Sequence, residues 1–465
     1  MNVDRVAKAL RGVAGDKAVL TAEADRAPFL AEWRGNYSGE APIVVQPGSV
    51  DAVAAVVRCC AQLGVPVVPQ GGNTGLVGGS VSGQAEVVVS LNRLNAVREV
   101  DAINFSLCVD AGCTLAAAQA AAADADLMLP LSLSSEGSCQ IGGNLATNAG
   151  GVSVLRYGNA RDQVLGLEVV LPDGTLLSAL QSLRKNNAGY DLKQLFVGSE
   201  GTLGIITGAT LKLAPAPEAR LVLWLALDSH AHVLDAYTRF RRAFGATMAA
   251  FELVPDIAVD FVVRHIEGAR RPADAPVHAL IELHGGRAEI DRDAVLAAVS
   301  DAVNAGVLRD AIVADSDRDQ AALWAVRHNI SDAQRPEGAS IKHDIAVPLG
   351  ALQAFIKTAT ERVEALVPGV RPVCFGHIGD GNLHFNLSQP LGLDREAFLA
   401  RAPALTRTVH EAAQSLGGTI SAEHGIGLLK RDLLATQVGP VSHALMRRLK
   451  ESLDPDGIMN PGKLL

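Results

Sequence analysis

Two short stretches late in the chain carry the side chains best suited to acid–base and metal chemistry. The first runs Gly376, His377, Ile378, Gly379, Asp380, Gly381, Asn382, Leu383, His384, Phe385, Asn386, and the second is Ser421, Ala422, Glu423, His424, Gly425. The chain has 12 histidines, so a lone one means little. In the first stretch, side chains that alternate along a strand put His384 and Asn386 on one face. His377 lies across a glycine turn from them. Two histidines and a carboxylate make an open divalent site of the kind catalytic zinc uses, with a position left for substrate. The spacing is not HExxH, which disfavours a zincin protease. A third group is cationic: Trp324, Arg327, His328 and Ser331, then Lys342, His343 and Asp344. The planar guanidinium of Arg327 suits bidentate capture of a carboxylate. A solvated helix face is the other reading of the same residues.

The glycines point to a second ligand. Gly71, Gly72, Asn73, Thr74, Gly75, Leu76, Val77, Gly78 and Gly79 follow a predicted strand. Their spacing is not the dinucleotide fingerprint, and no acidic residue follows the next strand to take a ribose hydroxyl. Further on come Gly137, Ser138, Cys139, Gln140, Ile141, Gly142, Gly143, Asn144, then Ala146, Thr147, Asn148, Ala149, Gly150 and Gly151. No charged side chain occurs from Gly137 to Leu155. A third cluster is Gly198, Ser199, Glu200, Gly201, Thr202, Leu203, Gly204. An anion held there must be held by backbone N–H groups, which glycine exposes. Three clusters together read as the cradle of a large diphosphate ligand.

The segments PQGGNTGLVGGS, GSCQIGGNLATNAGGVSVLRYG, LRKNNAGYDLKQLFVGSEGTLGIIT and DPDGIMNPGKLL resemble the FAD-linked oxidase and dehydrogenase family, whose fold is shared with vanillyl-alcohol oxidase and p-cresol methylhydroxylase. The resemblance covers nearly the whole chain. It is most specific to the branch that contains the D-2-hydroxyglutarate and D-lactate dehydrogenases. It implies an α+β protein: an FAD-binding domain of two subdomains and an α+β substrate-binding C-terminal domain. It also implies that Gly71, Gly72, Asn73, Thr74, Gly75 and Leu76 wrap the FAD pyrophosphate. Ser138, Gly142, Gly143, Asn144, Thr147, Asn148 and Gly151 would line the cofactor's other side. Glu200, Gly201, Gly204 and Ile206 would hold the adenosine part, and Asn460 would return to the flavin ring. Several relatives attach FAD through a histidine in the first loop; Asn73 stands near that place here, so FAD is expected to be non-covalent. Cys139 lies near a second, cysteinyl attachment point of some relatives.

In the same branch, residues matching His377, His384 and Glu423 bind zinc or another divalent metal, and the one matching His424 is the catalytic base. Arg327, Ser331 and Lys342 match an arginine, a threonine and a lysine that hold substrate carboxylates; Ser331 keeps the hydroxyl and loses the methyl. Asn386 matches an asparagine that contacts substrate. The implied activity is FAD-dependent, zinc-assisted oxidation of a D-2-hydroxy acid to the 2-oxo acid, with hydride passing to flavin N5. D-2-hydroxyglutarate comes first, D-lactate or D-malate behind it. An electron-transfer flavoprotein or quinone-linked carrier is the expected acceptor. A glycolate-oxidase-type flavoprotein subunit is an alternative, and a metal-dependent hydrolase, which would be colourless, is the alternative from another class.

These groups need a scaffold. The expected elements include a helix over 50–63, strands over 65–69, 86–91, 107–112, 165–174, 204–217, 221–227 and 277–285, and helices around 230–245, 289–305 and 438–453. The proline-punctuated APAP at 214–217 marks the boundary between an FAD domain, 1–215, and a substrate- and metal-binding domain, 216–424. Residues 425–465 then form a helical segment returning to the FAD domain. The 465 residues, 48% hydrophobic and 20% charged, suffice for two or three cores. A formal net charge of −9 argues against a nucleic-acid binder. No apolar run is long enough to span a membrane. The start lacks a secretory h-region, and the six cysteines read as reduced thiols, so a cytoplasmic protein is expected, with a homodimer left open.

Overall fold

A computed structural model describes residues 1–465. The chain forms two compact units. The first gathers Met1–Gly151, Gly158–Ala216 and Glu423–Leu465; the second gathers Val152–Tyr157 and Pro217–Ala422. The short excursion 152–157 into the second unit has no counterpart in the sequence reading.

In the first unit, helix α1 (Val50–Leu63) forms as expected. Ser49 caps it by accepting the Ala52 N–H, and Gly64 ends it in the left-handed region. Its buried stripe is Val53, Ala54, Val56, Val57 and Cys60. The helix links two parallel strands of a four-stranded sheet made of β1 (Val19–Leu20), β2 (Ile43–Val45), β3 (Val67–Gln70) and β4 (Val87–Ser90). The order is β1-β2-β4-β3, with β2 and β3 both parallel to β4. The valine runs that make these strands are buried, as strands covered on both faces require.

A second, antiparallel sheet holds β5 (Val97–Asp101), β6 (Ser106–Asp110), β7 (Val164–Val170), β8 (Leu176–Ala179) and β9 (Ile205–Lys212), in the order β5-β6-β9-β7-β8. One apolar core joins both sheets to α1, helix α2 (Leu115–Ala123) and the short helix α3 (Ile141–Ala146). The terminal segment closes this unit: Met459 bridges to Val67. The expected helix over 438–453 is the second half of a longer run, Arg431–Leu453. Gly439, at φ 78° and ψ 165°, breaks that run, and Pro440 follows it. The break is legible afterwards, since proline starts helices more readily than it continues them.

The second unit is built on one eight-stranded sheet. Its strands are β10 (Ala219–Leu227), β11 (Met248–Pro255), β12 (Val277–Gly285), β13 (Asp310–Ala314), β14 (Ser340–Ile341), β15 (Asp344–Ala346), β16 (Arg371–His377) and β17 (Asn382–Ser388). The order is β13-β10-β12-β11-β16-β17-β14, and β15 also pairs with β17. Strand alternation sorts the core onto two faces: Leu221, Leu223, Leu225 and Leu227 lie in one apolar cluster, Val222 and Trp224 in the other. Helices α4 (His230–Phe244) and α5 (Arg292–Asn304) cover the first face, and α6 (Asp317–His328) the second. No helix of the protein is long and apolar enough to cross a membrane.

Candidate active site

The hairpin β16–β17 places the first group of candidates. Phe375 pairs with His384 and Val373 with Asn386, so His384 and Asn386 do share a face. The Ile378–Asp380 turn, closed by Gly381 at φ 83°, turns the chain so that the His377 and His384 rings meet edge to face, with centroids 5.6 Å apart. Asp344, the β15 partner of His384, is buried. A carboxylate oxygen of Asp344 and a ring nitrogen of His384 lie within 4.8 Å. Asn386 is buried, and its Nδ2 donates to Gln334 Oε1 at 2.8 Å.

Arg327 sits in the last turn of α6, on the buried stripe that also carries Gln320, Leu323 and Val326. The reading of this stretch as a solvated helix face therefore falls. Arg327 is 7% exposed. Its Nε donates to Glu252 Oε2 at 2.7 Å, and its guanidinium lies 4.8 Å over the Phe375 ring. Neither Nη nitrogen has a protein hydrogen-bond partner. Ser331, one turn on, is half-buried, and Lys342 is exposed.

Glu252 is fully buried in β11, directly opposite His377 in the sheet. Its Oε1 lies 2.7 Å from His377 Nδ1. Burial alone would push this carboxyl up; the charges of His377 and Arg327 outweigh that and hold it below the ordinary carboxylate range. A histidine bound by a carboxylate through Nδ1 offers Nε2 outward, the arrangement usual for a metal ligand. His377 thus has the donor chemistry of a metal ligand, while the ligand atoms gathered within 4.8 Å in this unit are those of His384 and Asp344 and do not include His377.

In the first unit, Glu423 Oε1 accepts the Gly151 N–H at 2.6 Å, and a methyl on Gly150 would meet that same oxygen at 2.6 Å. A ring nitrogen of His424 lies within 4.8 Å of the Glu423 carboxylate. Past them, Gly425 turns at φ 80°. Glu200 then takes the Ile426 and Gly427 N–H groups, one on each carboxylate oxygen, both at 2.7 Å. Burial raises the Glu200 carboxyl against the pull of those two amides. Glu200 thus grips the segment that carries His424.

The glycine loops fit a diphosphate. No backbone N–H from Gly71 to Ser80 donates within the protein, although most of this loop is half-buried where it leaves the carboxyl end of parallel strand β3. Such a run of open donors is an anion cradle. Gly72 lies against the second loop: a Cβ there would stand 2.0 Å from the Ser138 carbonyl oxygen. Asn460 is buried, and its Nδ2 donates to the Gly79 and Glu200 carbonyls at 2.9 and 2.7 Å. Its Oδ1 and the Oε1 of Gln140 are buried without partners, ready for a polar ligand.

Not every candidate in these loops is open. The Gly142 N–H donates to the Ala111 carbonyl, Thr147 Oγ1 to the Gly143 carbonyl, and Asn148 Oδ1 accepts the Arg161 N–H. Gly201 packs on Pro69 and Gly204 on Val169, while Ile206 is buried in β9. Asn144 is buried in α3, and Ser138 is exposed. Thr74, Gly75 and Leu76 stay partly exposed along the first loop. Asn73, at φ 53°, bonds Ala31 and Ser80 through its amide, and Cys139 is buried with its thiol pushed up by that burial.

Residues 216–464 match the family described as FAD linked oxidases, C-terminal domain, and residues 41–179 match an FAD binding domain. The chain is 39% identical over 446 residues to a D-2-hydroxyglutarate dehydrogenase of Xanthomonas citri pv. viticola, covering 96% of this chain and 93% of that one. It is 38% identical over 449 residues to the mitochondrial D-2-hydroxyglutarate dehydrogenase of Bos taurus, covering 96% and 81%. In fold it is similar to p-cresol methylhydroxylase with substrate bound, at a TM-score of 0.77 and 16% identity over 99% of this chain and 96% of the other.

Proposed function

The chain belongs to the FAD-linked oxidases, and from that premise we propose that it oxidises a D-2-hydroxy acid, D-2-hydroxyglutarate first, to the 2-oxo acid. The observation that carries this is Arg327, a buried guanidinium fixed through Nε with both Nη nitrogens unused. A planar fork of that kind is complementary to a carboxylate. Arg327 takes the acid's carboxylate, with Ser331 and Asn386 beside it. A dicarboxylic acid gives Lys342 a second group to pair with.

FAD, when bound, supplies the two-electron acceptor, and a divalent ion on His377, His384 and Glu423, zinc first, supplies Lewis acidity toward the substrate hydroxyl. His424 removes the hydroxyl proton. The substrate thereby loses one proton and one hydride, which is the difference between the 2-hydroxy and the 2-oxo acid. Asn73 and Cys139, placed as above, support non-covalent FAD. An electron-transfer flavoprotein or quinone-linked carrier is the proposed acceptor. The six unpaired cysteines agree with a cytoplasmic setting, while the Bos taurus relative is mitochondrial.

The direct test is anaerobic mixing of the purified protein with D-2-hydroxyglutarate. Bleaching of the flavin absorbance is expected. A yellow protein that bleaches only with D-lactate or D-malate would move the substrate, and a colourless one would end the reading.

The first loop gives a separate prediction. Gly72→Ala drives a methyl into the Ser138 carbonyl and forces the two glycine loops apart. Overpacking of this kind costs about 1–3 kcal/mol, and here it falls on the cradle itself. The variant should purify with markedly less flavin per chain, measured as the ratio of flavin to protein absorbance. Full occupancy would show that the loops need not touch.

A further inference from the structure

We propose that Glu252 is a positioning residue for this site, aligning the Arg327 guanidinium for the acid's carboxylate and the His377 ring for the divalent ion. The inference rests on the functional reading above and assigns a role to a residue outside every motif in the sequence. Glu252 lies in β11, an inner strand of the sheet, with 0% exposure. A carboxylate is unfavourable there unless both oxygens are matched. Both are: Oε2 receives the Arg327 Nε–H and Oε1 faces His377 Nδ1, each at 2.7 Å. The strand register enforces the second contact, because Glu252 and His377 are direct cross-strand partners.

The geometry holds each partner from the Glu252 side. Arg327 is held at Nε by Glu252 and over its face by the Phe375 ring. Two such restraints fix the plane of the guanidinium and leave its Nη edge for a carboxylate. His377 is held at Nδ1 by Glu252, and its ring meets the His384 ring edge to face at 5.6 Å between centroids. One carboxylate therefore sets both the ring orientation of His377 and the aim of a substrate clamp. Glu252 touches neither substrate nor metal in this scheme.

Glu252→Gln tests it sharply. A carboxamide has one acceptor and one donor end, so it can satisfy Arg327 Nε or His377 Nδ1–H but not both. Four quantities are read on the folded variant: flavin per chain, zinc retained after dialysis against a chelator, and KM and kcat for D-2-hydroxyglutarate. Flavin should stay at the wild-type level. Zinc affinity should fall about 10- to 100-fold, the range for loss of such a partner, and KM should rise about tenfold or more. A merely structural Glu252 would lower the melting temperature and leave zinc and KM unchanged. Wild-type zinc retention with KM within about twofold would overturn the proposal. If Glu252→Gln yields no folded protein, Glu252→Asp decides: its carboxylate is one methylene short and reaches at most one partner. Wild-type zinc and KM in that variant would equally overturn it. The unsubstituted protein is assayed first. Absence of bleaching or of zinc there would count against the functional reading, and not against Glu252.

Discussion

Replacing His424 with alanine is expected to slow anaerobic flavin bleaching by roughly 10²–10⁴, the range for losing a general base, with flavin content and fold unchanged. The fold should survive because the backbone around His424 is held by its neighbours. Glu423 is fixed by the Gly151 N–H, and the Ile426 and Gly427 N–H groups are fixed by Glu200. The ring is half-buried, so its removal leaves no large cavity in a core. Single-turnover mixing separates this loss from any change in reoxidation by an acceptor. It also exposes the pH signature: the limb of the rate profile set by the base should disappear in the variant. A variant that bleaches at the wild-type rate would remove His424 from proton transfer.

The parts of this site that could be read in the sequence are those whose signal is local. The period-two alternation of β17 put His384 and Asn386 together, and the glycine turn brought His377 to them. The uncharged glycine runs announced a backbone cradle, and the loop 71–80 has the open amides that reading needs. Glu252 was not legible. It lies in an apolar strand run, and its partners are 75 and 125 residues away. Only the register of β11 against β16, and the buried stripe of α6, bring them together. Gln334 was passed over for the same reason, and Asp344 was named without a role. Their meaning comes from Asn386, 52 residues from Gln334, and from the pairing of β15 with β17. Gly142 shows the converse limit, since a glycine run does not reveal which of its N–H groups a neighbouring strand, here at Ala111, already takes.

Arg327→Ala should lower kcat/KM for D-2-hydroxyglutarate by about 30-fold to a few thousandfold. Truncating one partner of a buried, hydrogen-bonded charge pair costs about 2–5 kcal/mol, and each ~1.4 kcal/mol is tenfold. The loss should appear mainly in KM, because Arg327 binds a carboxylate that does not change charge during the reaction. The alanine variant also leaves the buried Glu252 carboxylate with His377 alone in place of two partners, so part of its loss comes through destabilisation. Arg327→Lys separates the two effects. It keeps a cation near Glu252 but has neither the Nε donor nor the parallel Nη pair. Its melting temperature should therefore stay close to wild type while KM still rises about tenfold or more. The same pair of variants distinguishes clamp from surface: a cation that only tuned the field would be replaced well by lysine, whereas a fork set by Glu252 and Phe375 would not. Unchanged KM and kcat in both variants would show that the Nη edge of Arg327 does not meet the substrate.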